Sequence, residues 1–178
     1  ALKLYNEYNS GSMGAIVFQE MRESRSLAYM AFTEWINPSY LDDNYLFAAI
    51  IATQNDKMAQ AIDAFDEIIN NMPESETAFK IAKEGLISRL RTDRTVKEQV
   101  LWSFIGLRNL GLEEDRDKQI FEKVQSMTLD DVKAAQQKWV KGRKYVYGIL
   151  GDIQDLDLNY LKTLGPIQTV SQEEIFGY

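Results

Sequence analysis

Any chemistry in this sequence has to be done without imidazole or thiol, because its 178 residues contain no histidine and no cysteine. Those two side chains supply most zinc ligands, the usual base that activates serine, and the most reactive nucleophile. A self-contained hydrolase is therefore disfavoured. What remains are carboxylates and the hydrogen-bond donors of tyrosine, lysine and arginine. Acidic clusters occur at Asp42-Asp43, at Glu113-Glu114-Asp115, at Asp130-Asp131, and at Asp152 with Asp155 and Asp157. Each falls at an expected turn or helix start, where a carboxylate accepts from free amides and opposes the helix dipole, so capping is the expected role. The stretch from Asp152 to Asp157 has some of the look of a calcium loop, but the turn glycine and closing glutamate do not follow.

One pair of donors is placed differently. Arg22 lies near the end of an expected helix, and Tyr29 follows seven residues later at the start of an expected strand. A five-donor guanidinium and a phenol in those positions could project toward one cleft. Arginines at helix ends also neutralise carbonyls, and strand tyrosines also pack, so the pair taken alone leaves both readings open. Arg25 reads as structural, paired with Glu23 or with the helix end. The brief basic patch Arg89, Arg91, Arg94 and Lys97 is interrupted by Asp93 and reads as a solvated helix face.

The elements that must position these groups follow from periodicity. Residues 2–9 predict a short helix, stopped by Gly11-Ser12-Met13-Gly14, and Ile16, Val17, Phe18 and Met21 give a second helix an apolar face. That turn joins two helices and has no Gly-Lys-Ser/Thr ending, which argues against a phosphate cradle. The aromatic stretch 27–36 predicts a strand ending at Asn37-Pro38, and the all-apolar run 45–52 a central strand, hairpin-paired with it. Asn55 is expected to cap a helix carrying Met58, Ala61, Ile62, Phe65, Ile69 and Met72, with Asp63, Asp66 and Glu67 left to solvent. Pro73 ends it, and Ser75 opens another with Phe79, Ala82, Leu86 and Leu90. Helices at 96–110, 116–126 and 129–140 follow, the last opened by Thr128 and Asp131 as a capping-box variant. A third strand at 145–150 and a helix at 155–164 complete the pattern. This predicts an α+β single domain over 1–178, with a small, mostly antiparallel sheet and helices packed on one face. An all-apolar strand wants more neighbours than this chain supplies, so the first strands of the domain are expected to lie upstream.

Composition narrows the function classes. With 45% hydrophobic and 26% charged residues the chain is ordinary globular material. A net charge of −7 argues against a surface that tracks phosphates, so no nucleic acid is expected. No apolar run approaches the ~20 residues of a bilayer span, and the first residues resemble neither a signal nor a transit peptide; no membrane association is expected. The compartment stays open, periplasmic or cell-envelope as well as cytoplasmic.

The run GSMGAIVFQEMRESRSLAY, residues 11–29, resembles the Gly-rich turn, helix and Arg-x6-Tyr element of the C-terminal-half domains of pitrilysin/insulysin-type zinc peptidases, the inverzincins. The two strands, the helix pair, SFIGLRNLGL, MTLDDVKAAQQKWV and KYVYGILGD are similar in order and spacing. The likeness covers essentially the whole chain, apart from first strands that are absent here. It implies a metallopeptidase domain of the mitochondrial processing peptidase-like fold, inactive alone. It also implies zinc held by a His-x-x-Glu-His motif in a partner N-terminal-half domain, on the same polypeptide or a partner subunit, and no metal or other cofactor in this chain. On that reading the substrate is a peptide: Tyr29 is the catalytic donor to the scissile carbonyl and Arg22 holds the substrate backbone. The alternative is a catalytically inactive scaffold subunit of a heteromeric peptidase of the same family.

Overall fold

Leu4, Tyr5 and Tyr8 recur at helical spacing near the start of the chain, and in the computed structural model, which describes residues 1–177, they form the buried stripe of α1 (Leu2–Ser10). The chain then breaks at Gly11, where a Cβ would come within 2.7 Å of the Glu7 carbonyl and against the Glu7 carboxylate, so only glycine fits this close approach. A single helical turn, α2 (Ile16–Phe18), runs into a wider π-helical turn at Gln19–Ser24.

The core is built from helices whose apolar positions repeat every three or four residues. In α3 (Met58–Asn70) these are Ala61, Phe65, Ile68 and Ile69, and in α4 (Glu76–Thr92) they are Phe79, Ala82 and Leu86. They join α1 and Val132 of α7 (Leu129–Trp139) in one cluster. The tight connection from α3 to α4 is tied down from α1. The Tyr8 hydroxyl donates to the Pro73 carbonyl at 2.8 Å and accepts from the Ser75 amide at 2.9 Å.

Over this layer lies an antiparallel hairpin, β1 (Met30–Ile36) and β2 (Leu46–Ala52), in register from Met30↔Ala52 to Ile36↔Leu46. Alternation turns Ala31, Thr33, Trp35, Phe47 and Ile51 toward the helices and leaves Met30, Ile36, Leu46 and Ile50 exposed on the other face. The fold is α+β with helices on one face of the sheet. The outer edge of β1 is closed by side chains of α1: Ser10 Oγ accepts from the Thr33 amide at 2.7 Å, and Asn6 Oδ1 from the Trp35 amide at 2.9 Å. Half-buried amides that would otherwise lack protein partners are thereby satisfied.

Several expectations need correction. Residues 145–150 do not form a third strand; among the described residues the sheet has two strands. The segment keeps the alternation that predicted a strand, with the Tyr145 ring tilted against Phe47 at 6.0 Å between centroids and Val146 and Leu150 pointing outward, but it makes no backbone ladder with β2. Alternation reports which face is covered, whereas a strand also needs a neighbour at its edge. For the same reason β2 is paired on one side only and is not central. Asn55 does not cap α3. It opens a 3₁₀ turn, Asn55–Lys57, and its side-chain amide donates to Asp155 Oδ2 at 3.2 Å. In α5 (Glu98–Asn109) the expected inner positions Val100, Leu101 and Phe104 are exposed, and none of its residues is buried.

After α6 (Arg116–Val124) and α7, the helix expected from Asp155 begins at Leu158 as α8 (Leu158–Leu164), because the Asp157 carboxylate accepts from the Tyr160 amide and fixes the start there. A short α9 (Gln172–Phe176), opened by a Ser171–Glu174 capping box, was not expected at all. The carboxylates of α3 do face outward as expected, Asp63 and Glu67 exposed and Asp66 half-buried, but each has a partner there. Asp63 accepts from the Tyr160 hydroxyl, Asp66 from the Tyr147 hydroxyl, and Glu67 pairs with Arg25.

Candidate functional site

The site is built where the π-helical turn Gln19–Ser24 gives way to β1. Met21 is fully buried and anchors that turn, so the neighbouring Arg22 is carried to its outer side. The Leu27 amide donates back to the Met21 carbonyl at 2.9 Å, closing a turn wider than an α-helical one. Ser26 lies in the left-handed region, at φ +51°, and reverses the chain into the strand. Ala28 is buried, and Tyr29, pointing the other way, is 84% exposed. The Tyr29 amide donates to the Ala52 carbonyl at 2.9 Å, so the hairpin fixes the backbone from which the phenol projects.

Arg22 and Tyr29 are brought together. The guanidinium carbon lies 6.0 Å from the Tyr29 ring centroid and 5.1 Å from that of Phe18, one helical turn earlier. This is cation–π range, and it holds a long side chain without saturating its N–H donors. The Nε comes within 3.9 Å of a Glu23 carboxylate oxygen. The Tyr29 hydroxyl has no protein partner among the described residues. Both residues line an open cleft of about 400 Å³, with Ser26, Thr53, Gln54 and Lys57 among its other walls.

The cleft is braced from three sides. Thr53 Oγ1 donates to the Leu27 carbonyl at 2.5 Å, and Lys57 Nζ to the Ser26 carbonyl at 3.2 Å. Arg25, which the sequence assigned to Glu23 or the helix end, instead reaches Glu67 of α3 at 2.8 Å and Glu20 at 3.6 Å. Its hydrogen bond to Glu67 pushes the guanidinium pKa up and keeps it charged. Arg25 thus ties the π-helical turn that carries Arg22 to the helix layer. Sequence reasoning missed the reach of Arg25 to α3 and missed Lys57 at the cleft altogether. Glu67, one of the charged residues on α3, was a signal for the first; only the hairpin register brings Lys57 beside Ser26.

Several of the other charged groups have structural partners. Asp115 and Asp157 cap α6 and α8, Asp131 forms a capping box with Thr128, and Asp152 accepts from the Gln154 amide. Arg89 pairs with the largely buried Glu7, and Arg91 lies over the Phe121 ring. Among the described residues, no group of three or more acidic side chains could hold a metal ion. The donor set does not fit zinc, which favours imidazole and thiolate.

This chain folds like a peptidase M16 inactive domain. A crystal structure of such a domain from Pseudomonas fluorescens matches it with a TM-score of 0.58 at 20% identity, over 77% of this chain and 32% of that one. The chain thus spans about a third of the length of the protein it matches. No family model matches the sequence, and no curated protein matches it.

Proposed function

We propose that this chain is the substrate-positioning, non-zinc domain of a zinc-dependent metalloendopeptidase of the pitrilysin/insulysin type. It closes against a companion half that carries the zinc. The observation that carries the reading is the convergence of Arg22 and Tyr29 over one open cleft, with donors left over for a ligand, in a fold like that of an M16 inactive domain. That the neighbouring structure is an inactive domain accords with a chain that has no imidazole or thiol to hold zinc.

Zinc supplies water activation and carbonyl polarisation in such enzymes, and that chemistry belongs to the companion half. This chain's own residues bind and orient. Arg22 gives its free N–H groups to carbonyls of an extended peptide, and Tyr29 donates a hydrogen bond from its hydroxyl to the scissile carbonyl as charge develops on that oxygen. A fixed donor aimed at a developing oxyanion is worth about 2.7–4 kcal/mol once water is excluded, which closure of the two halves provides. The alternative of a catalytically inactive scaffold keeps the fold but assigns Arg22 and Tyr29 no part in turnover. Peptide hydrolysis by the complete peptidase carrying Arg22→Ala or Tyr29→Phe separates the two readings: loss supports positioning, and wild-type turnover in both variants supports the scaffold.

A further inference from the structure

The cleft beside Arg22 and Tyr29 has a second cation, and its chemistry points to a preference within the peptide substrates proposed above. Arg22 and Lys57 are the charged residues that line it, so a cationic spot sits on a protein whose net charge is −7. Lys57 donates from Nζ to the Ser26 carbonyl at 3.2 Å, which holds the ammonium at the cleft while leaving further N–H donors unused. Glu23 touches Arg22 but does not line the cleft, and nor does Asp56, next to Lys57 in the chain. Lys57 also stands at the junction of the 3₁₀ turn and α3.

We infer that Lys57 is a specificity residue that receives a carboxylate of the bound peptide, from an acidic side chain or a free C-terminus, while Arg22 and Tyr29 engage its backbone. The inference rests on the substrate-positioning reading. The site selects for charge rather than shape: an ammonium and a guanidinium sharing one opening favour an anion, and exposed charges farther away are screened beyond about 10 Å at 0.1 M salt.

The test is a binding titration of the complete peptidase, this domain together with its companion half and with the zinc removed so that nothing is cleaved, using pairs of extended peptides that differ only in one Glu against Gln, or in a free against an amidated C-terminus. The wild-type protein is expected to favour at least one carboxylate form by about three- to tenfold at low salt, with the ratio shrinking as salt rises. Whichever pair shows the preference identifies the source of the carboxylate. Lys57→Gln should shrink the ratio toward one, and Lys57→Arg should preserve it. Equal binding of both forms by the wild-type protein, or an undiminished preference in Lys57→Gln, overturns the role of Lys57. The positioning reading survives that outcome if Arg22→Ala still weakens acidic and neutral peptides alike. If no peptide binds at all, both readings fall.

Discussion

Asn6 of α1 grips Trp35 of β1 as a neighbouring strand would, accepting from its amide at 2.9 Å and donating to its carbonyl at 3.3 Å. The helix layer thereby fixes the strand that Tyr29 immediately precedes, a side chain standing in for a backbone ladder. Removing it leaves two half-buried backbone groups without partners, at about 1–3 kcal/mol. Asn6→Ala should lower the melting temperature by roughly 2–4 °C for each kcal/mol lost. Asn6→Asp should also destabilise, because it keeps the acceptor but loses the donor and sets a negative charge against the Trp35 carbonyl. Thermal unfolding followed by circular dichroism checks both.

The Tyr8 hydroxyl serves both sides of the α3–α4 connection, and the ring itself is fully buried. Tyr8→Phe preserves the packing but strands the Ser75 amide and the Pro73 carbonyl. The expected cost is about 1–3 kcal/mol, read from urea unfolding as a lower midpoint with an unchanged slope. An unchanged midpoint would mean that water replaces the hydroxyl without loss.

Alkaline pH should loosen the C-terminal segment from α3. Partial burial, and then the hydrogen bond to Asp66, push the Tyr147 phenol up to about 12 from its ordinary value near 10. Burial and the bond to Asp63 push Tyr160 up as well. A phenol whose pKa is raised by folding contributes stability that is fully present below its unfolded pKa and is lost as pH climbs toward the folded one. Stability should therefore fall between about pH 10 and 12, and Tyr147→Phe should flatten that fall. Unfolding midpoints across the range, with tyrosinate absorbance as a second readout, test this.

Much of this architecture can be read from the residues in order. Helical spacing of Leu4, Tyr5 and Tyr8, and of Ala61, Phe65 and Ile69, marks α1 and α3, and the aromatic and apolar runs mark the hairpin. The spacing of Arg22 and Tyr29 across a helix-to-strand junction is also visible, because the elements on either side are local. Pairing at a distance is not. The alternation in 145–150 carries no information about whether a neighbouring strand is present, and the apolar residues of α5 look like a core stripe in any periodicity reading. Asn55, Arg25 and Lys57 each choose a partner that only the folded chain brings near, at Asp155, Glu67 and Ser26. Capping boxes are the opposite case: Ser171 and Glu174 stand three residues apart and were legible in principle.

The most direct measurement is the turnover number of the complete peptidase, this domain together with its zinc-bearing half, with Tyr29 replaced by phenylalanine. Tyr29 is exposed and makes no side-chain hydrogen bond to the protein among the described residues, so the substitution should leave folding unchanged. The account predicts a fall in kcat of about a hundred- to a thousandfold, with a far smaller change in KM, because the phenol acts on charge that exists only in the transition state. Wild-type kcat in that variant would contradict it.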